Sequence, residues 1–296
     1  MRDNYVVLNG GLGNQLWQLS FAHKLADLRL TKVVHIHNEK NSHTHLLDGA
    51  SIISMLIKEC RHNLEFNSHN FSSPYYRRKF VPESNWSKLG RRRFLDSRNL
   101  KVQDFDGIDI SRPFIHLGFF QSLEFLAHEV SIVLAELEIL LHFYDTGNDM
   151  NMKGEYAVIH LRGGDYYQER HRESLGVLSK EYYSQLIVAV EKLGVKKAFV
   201  VTDDWTTAEA RLKNIEGIEL IKLDGLNEIA TFQLMAGAKV VGVSNSSFAW
   251  WGGMLCKRAG GSMIVPVPWY QIQKKTGVSV GVYEESMIKL LAHYSY

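Results

Sequence analysis

The chain has 296 residues, room for two domains of about 150 each, and its 45% hydrophobic and 22% charged content is ordinary for a globular protein. A net charge of +2 gives no reason to expect nucleic acid as a partner. Cys60 and Cys256 make neither a disulfide framework nor a Cys-x-x-Cys pair, which fits a reducing compartment.

Tyr5 to Leu8 reads as a short buried strand, entered too early to leave room for a signal peptide. A glycine-rich turn, Asn9-Gly10-Gly11-Leu12-Gly13-Asn14-Gln15, follows, and then Leu16, Trp17, Leu19, Phe21, Leu25 and Leu28 recur at helical spacing. Strand, turn and helix start make a backbone-lined site for an anion or a sugar. A tight turn with Asn14 capping the helix is the alternative. A dinucleotide fingerprint is excluded, because its third glycine position holds Leu16 and Glu39 is a poor ribose-binding acid.

A strand over Thr31 to His37 comes next, then irregular sequence. His43 and His45 fall in a Ser/Asn-rich loop with no carboxylate or Cys partner, so His35, His37, His43 and His45 are not expected to bind metal. Two basic runs, Arg77-Arg78-Lys79 and Arg91-Arg92-Arg93, have aromatics close by. They read either as a solvated face or as a cationic patch for anionic lipid or a lipid-linked diphosphate acceptor. Pro113 to Leu117 is a strand leading into Gly118-Phe119-Phe120-Gln121-Ser122, and a helix runs from about Leu123 to Tyr144. The polar stretch from Asp145 to Asn151 is the best linker, giving domains 1–150 and 151–296. No stretch approaches the roughly 18 apolar residues needed to span a bilayer.

Strands and helices then alternate: Tyr156 to Leu161, Lys180 to Leu193, Lys197 to Thr202, Thr206 to Asn214, Ile218 to Lys222, Asn227 to Ala236, Ala238 to Val243, Phe248 to Cys256 and Ser262 to Val265. That order predicts a parallel sheet covered by helices. Pro266 and Pro268 stop the last strand, and a helix over about Glu284 to Tyr294, able to pack back on the first lobe, closes the chain. Two of these strands end in chemistry. The first runs into His160-Leu161-Arg162-Gly163-Gly164-Asp165-Tyr166, placing an imidazole, a fixed cation and a carboxylate at one tip. In an open α/β sheet that is where ligands sit, and arginine's planar fork suits phosphate. The second runs into Ser244-Asn245-Ser246-Ser247-Phe248, hydroxyls at a helix start with an aromatic able to stack on a base or sugar. Ordinary turns and an N-cap are the alternatives in each place.

Together these segments resemble the α-1,2-fucosyltransferases of bacterial O-antigen synthesis, glycosyltransferase family 11. Gly10 to Leu16 resembles the family's opening, His160 to Tyr166 its His-x-Arg-Arg-Gly-Asp-Tyr, and Asn245 to Gly252 its Asn-Ser-Ser-Phe-Ser-Trp-Trp-Gly. Gly118 to Ser122 is similar to its aromatic-Gln-Ser stretch, and Phe199 to Asp204 to its strand ending in paired Asp. Two positions depart: Gly163 stands where a second arginine is usual, and Thr231 where an acid is usual, which leaves Glu228 or Asp224 to replace it.

The resemblance implies two Rossmann-like lobes facing each other across a cleft, the GT-B architecture, with the acceptor on the first lobe and the GDP-sugar on the second. It implies an inverting transferase moving L-fucose from GDP-β-L-fucose to the 2-OH of a galactoside. GDP-colitose as donor, or nucleotide-sugar binding without catalysis, are the alternatives. No cofactor and no metal are expected, because Asp203-Asp204 makes a weak metal pair; protein donors then stabilise the leaving diphosphate. The catalytic set is Arg162 on the diphosphate, His160 on a phosphate or ribose oxygen, and Asp165 as base or as a brace for Arg162. The donor set is Gly13, Asn14, Gln15, Asp203, Asn245, Ser246, Ser247 and Phe248. The acceptor is a β-galactoside-terminated, lipid-linked oligosaccharide. The expected setting is the bacterial cytoplasm, with peripheral contact to the inner membrane.

Overall fold

Runs such as Ala157–Ile159, apolar without alternation, are satisfied only inside a sheet covered on both faces, and every residue of its strand, Ala157–Leu161, is buried. The computed structural model describes residues 4–8, 10–28, 30–37, 49–58, 63–70, 94–96, 115–144, 155–276 and 281–295. The chain divides into two α/β units, Met1–Leu140 and Leu141–Tyr296. The basic runs, His43, His45, Cys60 and the linker 145–151 lie outside the described residues.

The first unit holds β1 (Asn4–Leu8), α1 (Leu12–Ala26), β2 (Thr31–His37), α2 (Gly49–Lys58), β3 (Leu64–Asn70), β4 (Phe94–Asp96), β5 (Ile115–Leu117) and most of α3 (Leu123–Phe143). Its strands lie in the order β3-β2-β1-β5-β4, and every pair is parallel. The chain steps outward from β1 through β2 to β3 and fills the other side with β5 and β4, so the order reverses between β1 and β5. Helix α1 is buried on nearly every face, Trp17 and Phe21 completely. It starts at Leu12 with Gly11 in the capping position and no side-chain cap. The Asn14 cap is therefore corrected: Asn14 lies inside the first turn, and its amide oxygen is engaged elsewhere.

The second unit continues with β6 (Ala157–Leu161), β7 (Val177–Leu178), α4 (Lys180–Lys192), β8 (Lys197–Thr202), α5 (Trp205–Leu212), β9 (Glu219–Lys222), α6 (Glu228–Ala236), β10 (Val240–Gly242), α7 (Ser247–Arg258), β11 (Ser262–Val267), β12 (Ile288–Leu291) and β13 (Tyr294–Ser295). Its main sheet has the order β12-β11-β10-β6-β8-β9, all parallel. Counting from β6, that is the 3-2-1-4-5-6 order of a dinucleotide-binding fold, with the reversal between β6 and β10. Ligands bind beyond the strand ends at such a reversal. Both polar motifs stand there.

Two expectations fail at the C-terminal end. The helix over Glu284 to Tyr294 is replaced by β12, paired with β11, and by β13, antiparallel to β7; both pairings lie within the second unit. Long-range pairing overrides the local spacing of Met287, Leu290 and Leu291. Pro266 does not stop its strand either. By then β10 has ended, β11 is paired on the β12 side alone, and the Pro266 carbonyl accepts from Tyr283 Oη. The missing N–H is one the ladder does not use.

Candidate active site

At the β6 tip, alternation puts His160 and Arg162 on one face. His160 is 6% exposed, and its Nδ1 lies 2.8 Å from Ser244 Oγ at the end of β10. Burial, then the nearby Arg162 charge, pulls its pKa down to about 3. It is a neutral hydrogen-bonding group at working pH, not a cation for phosphate. The β10 end is itself pinned, since Tyr182 Oη donates to Val243 O and Tyr166 Oη to Asn245 O.

Arg162 is gripped from two sides. Its Nη2 donates to Asp165 Oδ1 at 2.6 Å, and its Nη1 lies 2.7 Å from Asp203 Oδ2. Asp203 Oδ1 also accepts from the Gly163 N–H at 2.9 Å. The Arg162 Cζ sits 5.3 Å from the centre of the Tyr166 ring, a cation–π distance. The contact to Arg162 is the geometry that the bracing role expected of Asp165 requires. Asp203 sits on the arginine, which no spacing in the sequence reveals, since 40 residues separate it from Gly163. Its neighbour Asp204 caps α5, accepting from Thr207 N and Thr207 Oγ1, and those bonds hold its pKa low.

The glycines explain a departure. A Cβ on Gly163 would come within 2.9 Å of Asp204 Cβ and 3.3 Å of Thr207 Cβ. Gly164 has φ +42, and a Cβ there would meet Asp203 Oδ2 at 2.6 Å. No side chain fits at 163 without moving the α5 cap. The absence of a second arginine is therefore a packing matter in this chain.

On the other side of the reversal, Ser246 is the N-cap residue of α7 and makes no side-chain cap bond. The first-turn N–H groups, from Ser247 onward, form the positive end of a twelve-residue helix. Phe248 stacks on Phe232 at 4.5 Å and lies 6.3 Å from His160, so one of its faces is already covered. Asn245 is a correction. It is 1% exposed, and its amide donates to the carbonyls of Leu175 and Gly176, so it braces a loop instead of facing a donor. Thr231 is likewise turned inward, its hydroxyl donating to Asn227 O.

The first unit has its own reversal, between β1 and β5. Gln121 Nε2 donates to Asn14 Oδ1 at 2.9 Å, Gln18 Nε2 to Gly118 O at 2.8 Å, and Gln15 Nε2 to Gly10 O at 2.9 Å. The first two bonds tie the loop after β5 to α1, at whose start Gly13 also lies, and the third closes the turn before it. Gly10 has φ +75, and a Cβ there would meet the Asn14 amide at 2.8 Å. Phe120 has φ +51, a rare and strained conformation for an aromatic residue, held by its stack on Phe21 at 4.0 Å. Gln15 Oε1 and Ser122 Oγ are buried without a hydrogen-bond partner among the described residues. The set is polar, preorganised and uncharged. Gln18, Gln121, Ser122 and Ser244 are members outside the set expected from the sequence, although Gln121, Ser122 and Ser244 stand in polar clusters that follow strands.

Among the described residues, no three His, Cys, Asp or Glu side chains come together to hold a metal ion. Nor is any described helix long and apolar enough to cross a membrane.

Residues 4–278 match Glycosyl transferase family 11. The chain is 20% identical over 306 residues to the O-antigen biosynthesis glycosyltransferase WbnK of Escherichia coli, covering 93% of this chain and 98% of that one. It is 26% identical over 162 residues to an alpha-1,2-colitosyltransferase of Escherichia coli, covering 52% and 56%. Among solved structures, the Escherichia coli heptosyltransferase WaaC with ADP aligns at a TM-score of 0.45 and 13% identity over 98% of this chain and 93% of that one. The fucosyltransferase NodZ from Bradyrhizobium aligns at 0.46 and 12% over 86% and 92%. By its match over nearly the whole sequence, the chain belongs to glycosyl transferase family 11 and is a glycosyltransferase.

Proposed function

We propose that the protein transfers L-fucose from GDP-β-L-fucose to the 2-hydroxyl of a galactoside, with inversion and without a metal ion, in O-antigen or related glycan synthesis. The observation that carries this reading is Arg162 at the tip of β6, next in the sheet to β10, which leads into the N-terminus of α7, where Ser246 makes no side-chain cap bond. A fork-shaped cation and a row of helix N–H groups at one strand reversal suit a diphosphate. The relatives support the substrate class, since one is named for O-antigen synthesis and one for α-1,2-colitosyl transfer.

In this mechanism the acceptor oxygen bonds to the anomeric carbon from the face opposite the diphosphate. The bond from that carbon to the β-phosphate oxygen breaks, and its electron pair leaves with GDP. Arg162 and the α7 N–H groups stabilise the growing charge, a role in which one donor is worth about a hundredfold or more in rate. The acceptor proton passes to water, because a transition state of oxocarbenium character asks little of a base. His160, neutral and bonded to Ser244, orients rather than exchanges a proton. Asp203 and Asp204 are engaged by Arg162 and the α5 cap, so neither is offered to a cation. The acceptor is a lipid-linked oligosaccharide at the inner face of a bacterial membrane.

GDP-colitose is the second donor to test, on the strength of the colitosyltransferase relative. Purified protein given GDP-fucose, GDP-colitose and galactoside acceptors, with and without EDTA, tests the reading by mass spectrometry of the products. A fucosylated product, formed within about twofold of the same rate under chelation, supports it. Hydrolysis and transfer both absent would leave only nucleotide-sugar binding, and a metal-dependent product would remove Arg162 from its role.

A further inference from the structure

Arg162 carries one positive charge and touches two carboxylates, so the group as folded is net negative. An arriving nucleoside diphosphate therefore meets a like charge. The two carboxylates are not equally held. Asp203 uses both oxygens, one on Arg162 Nη1 and one on the Gly163 N–H, with Gly164 packed against its Oδ2. Asp165 reaches Arg162 from three residues along, through one oxygen at 2.6 Å, and its side chain is 44% exposed against 31% for Asp203. An ion pair so open to water holds weakly in net terms, because water resolvates the released carboxylate. The Tyr166 ring under the guanidinium is tied to Asn245 O, and this platform stays when one carboxylate leaves.

We propose that Asp165 is a placeholder for the donor's diphosphate. A phosphate oxygen takes its position on Arg162 Nη2, Asp165 turns to water, and Asp203 keeps Nη1 throughout. The inference rests on the reading of this site as a GDP-sugar site. The exchange makes and breaks no covalent bond; one anion replaces another on the same Nη2. Its benefit is preorganisation: the guanidinium is aimed before the donor arrives, and the anion that aims it is the one easiest to expel.

Calorimetric titration of GDP into the full chain tests this. Asp165→Asn keeps the shape and removes the charge, and GDP should then bind about three- to tenfold tighter. In an Arg162→Gln background the same change should alter affinity by less than about twofold, because the contested N–H groups are gone. A role in local structure alone would leave GDP affinity unchanged or weaken it, and either result in a folded Asp165→Asn protein overturns the proposal. An equal gain in both backgrounds overturns it too, as plain charge repulsion without exchange. Asp165→Ser serves the same comparison should the asparagine variant not fold. If the unaltered protein binds no GDP, the reading of the site falls together with the placeholder; if it binds GDP and Asp165→Asn gains nothing, the placeholder alone falls.

Discussion

Both units reverse their strand order beside their first strand, and they furnish the reversal differently. Between β6 and β10 stand a guanidinium, two carboxylates, a neutral imidazole and a helix N-terminus. Between β1 and β5 stand three glutamines, an asparagine and a serine, with no charge among them. Topology supplies a place to bind in each unit, and side chains decide what can bind there. Charge suits a leaving diphosphate, whose binding and departure are governed by electrostatics. Amides with fixed orientation suit sugar hydroxyls, which need matched donors and acceptors without a field. Strain falls where the amides are, at Phe120, and close packing of glycine against carboxylate falls where the charges are, at Gly164.

The largest effect separating the two reversals is expected from Arg162. Arg162→Ala should lower turnover by about a hundredfold or more, and Arg162→Lys should recover little of it, since a point charge cannot reproduce the fork. Near-normal turnover in a folded alanine variant would leave the charged reversal without its proposed task.

A second difference is in acid. His160 has a folded-state pKa of about 3, below the ordinary value of 6.5. Between those values the unfolded chain holds more protons, so stability is complete above about pH 6.5 and is lost as pH falls toward 3. The imidazole alone should account for about 2 kcal/mol between pH 7 and pH 5. Chemical denaturation at the two pH values, compared with His160→Gln, should show a shallower loss in the variant. Parallel losses in both proteins would mean that other groups set the acid sensitivity.

Gly163 sharpens the contrast further. Gly163→Ala should cost about 1–2 kcal/mol of stability, as overpacking against the Asp204 cap. Gly163→Arg should not tighten GDP binding, because its Cβ meets the α5 cap before its charge can reach a phosphate. Thermal melts and GDP titration of the two variants check both statements. The smallest effect is expected in the uncharged reversal. Gln121→Ala should reduce kcat/KM for the acceptor by about fivefold, the worth of one neutral hydrogen bond, with GDP affinity changed by less than about twofold. A GDP affinity that falls as far as kcat/KM would show that both reversals serve the diphosphate.

Legibility in the sequence divided along physical lines. Unbroken apolar runs such as Ala157–Ile159 and capped helices such as α6 under Asn227 declare themselves locally, and the α/β alternation of the second unit follows from them. Ile288–Leu291 does not, because an edge strand beside β11 is chosen by its partner and not by its own spacing. In the site, the cation and the helix start were readable as residue types at strand ends. What each touches was not. Asp203 reaches Arg162, Asn245 reaches Leu175 and Gly176, and Gln121 reaches Asn14 across sequence gaps of 40 residues or more, contacts that exist only once the sheets have formed. Gly163 looked like a lost arginine until the Asp204 cap stood beside it.

The central claim is that the donor's diphosphate binds at the β6/β10 reversal. A crystal structure of the full chain with GDP tests it most directly. Phosphate oxygens are expected on Arg162 Nη2 and on the first-turn N–H groups of α7, with the Asp165 carboxylate turned away and Asp203 still on Nη1. A diphosphate bound elsewhere, with the Arg162–Asp165 pair intact, would contradict it.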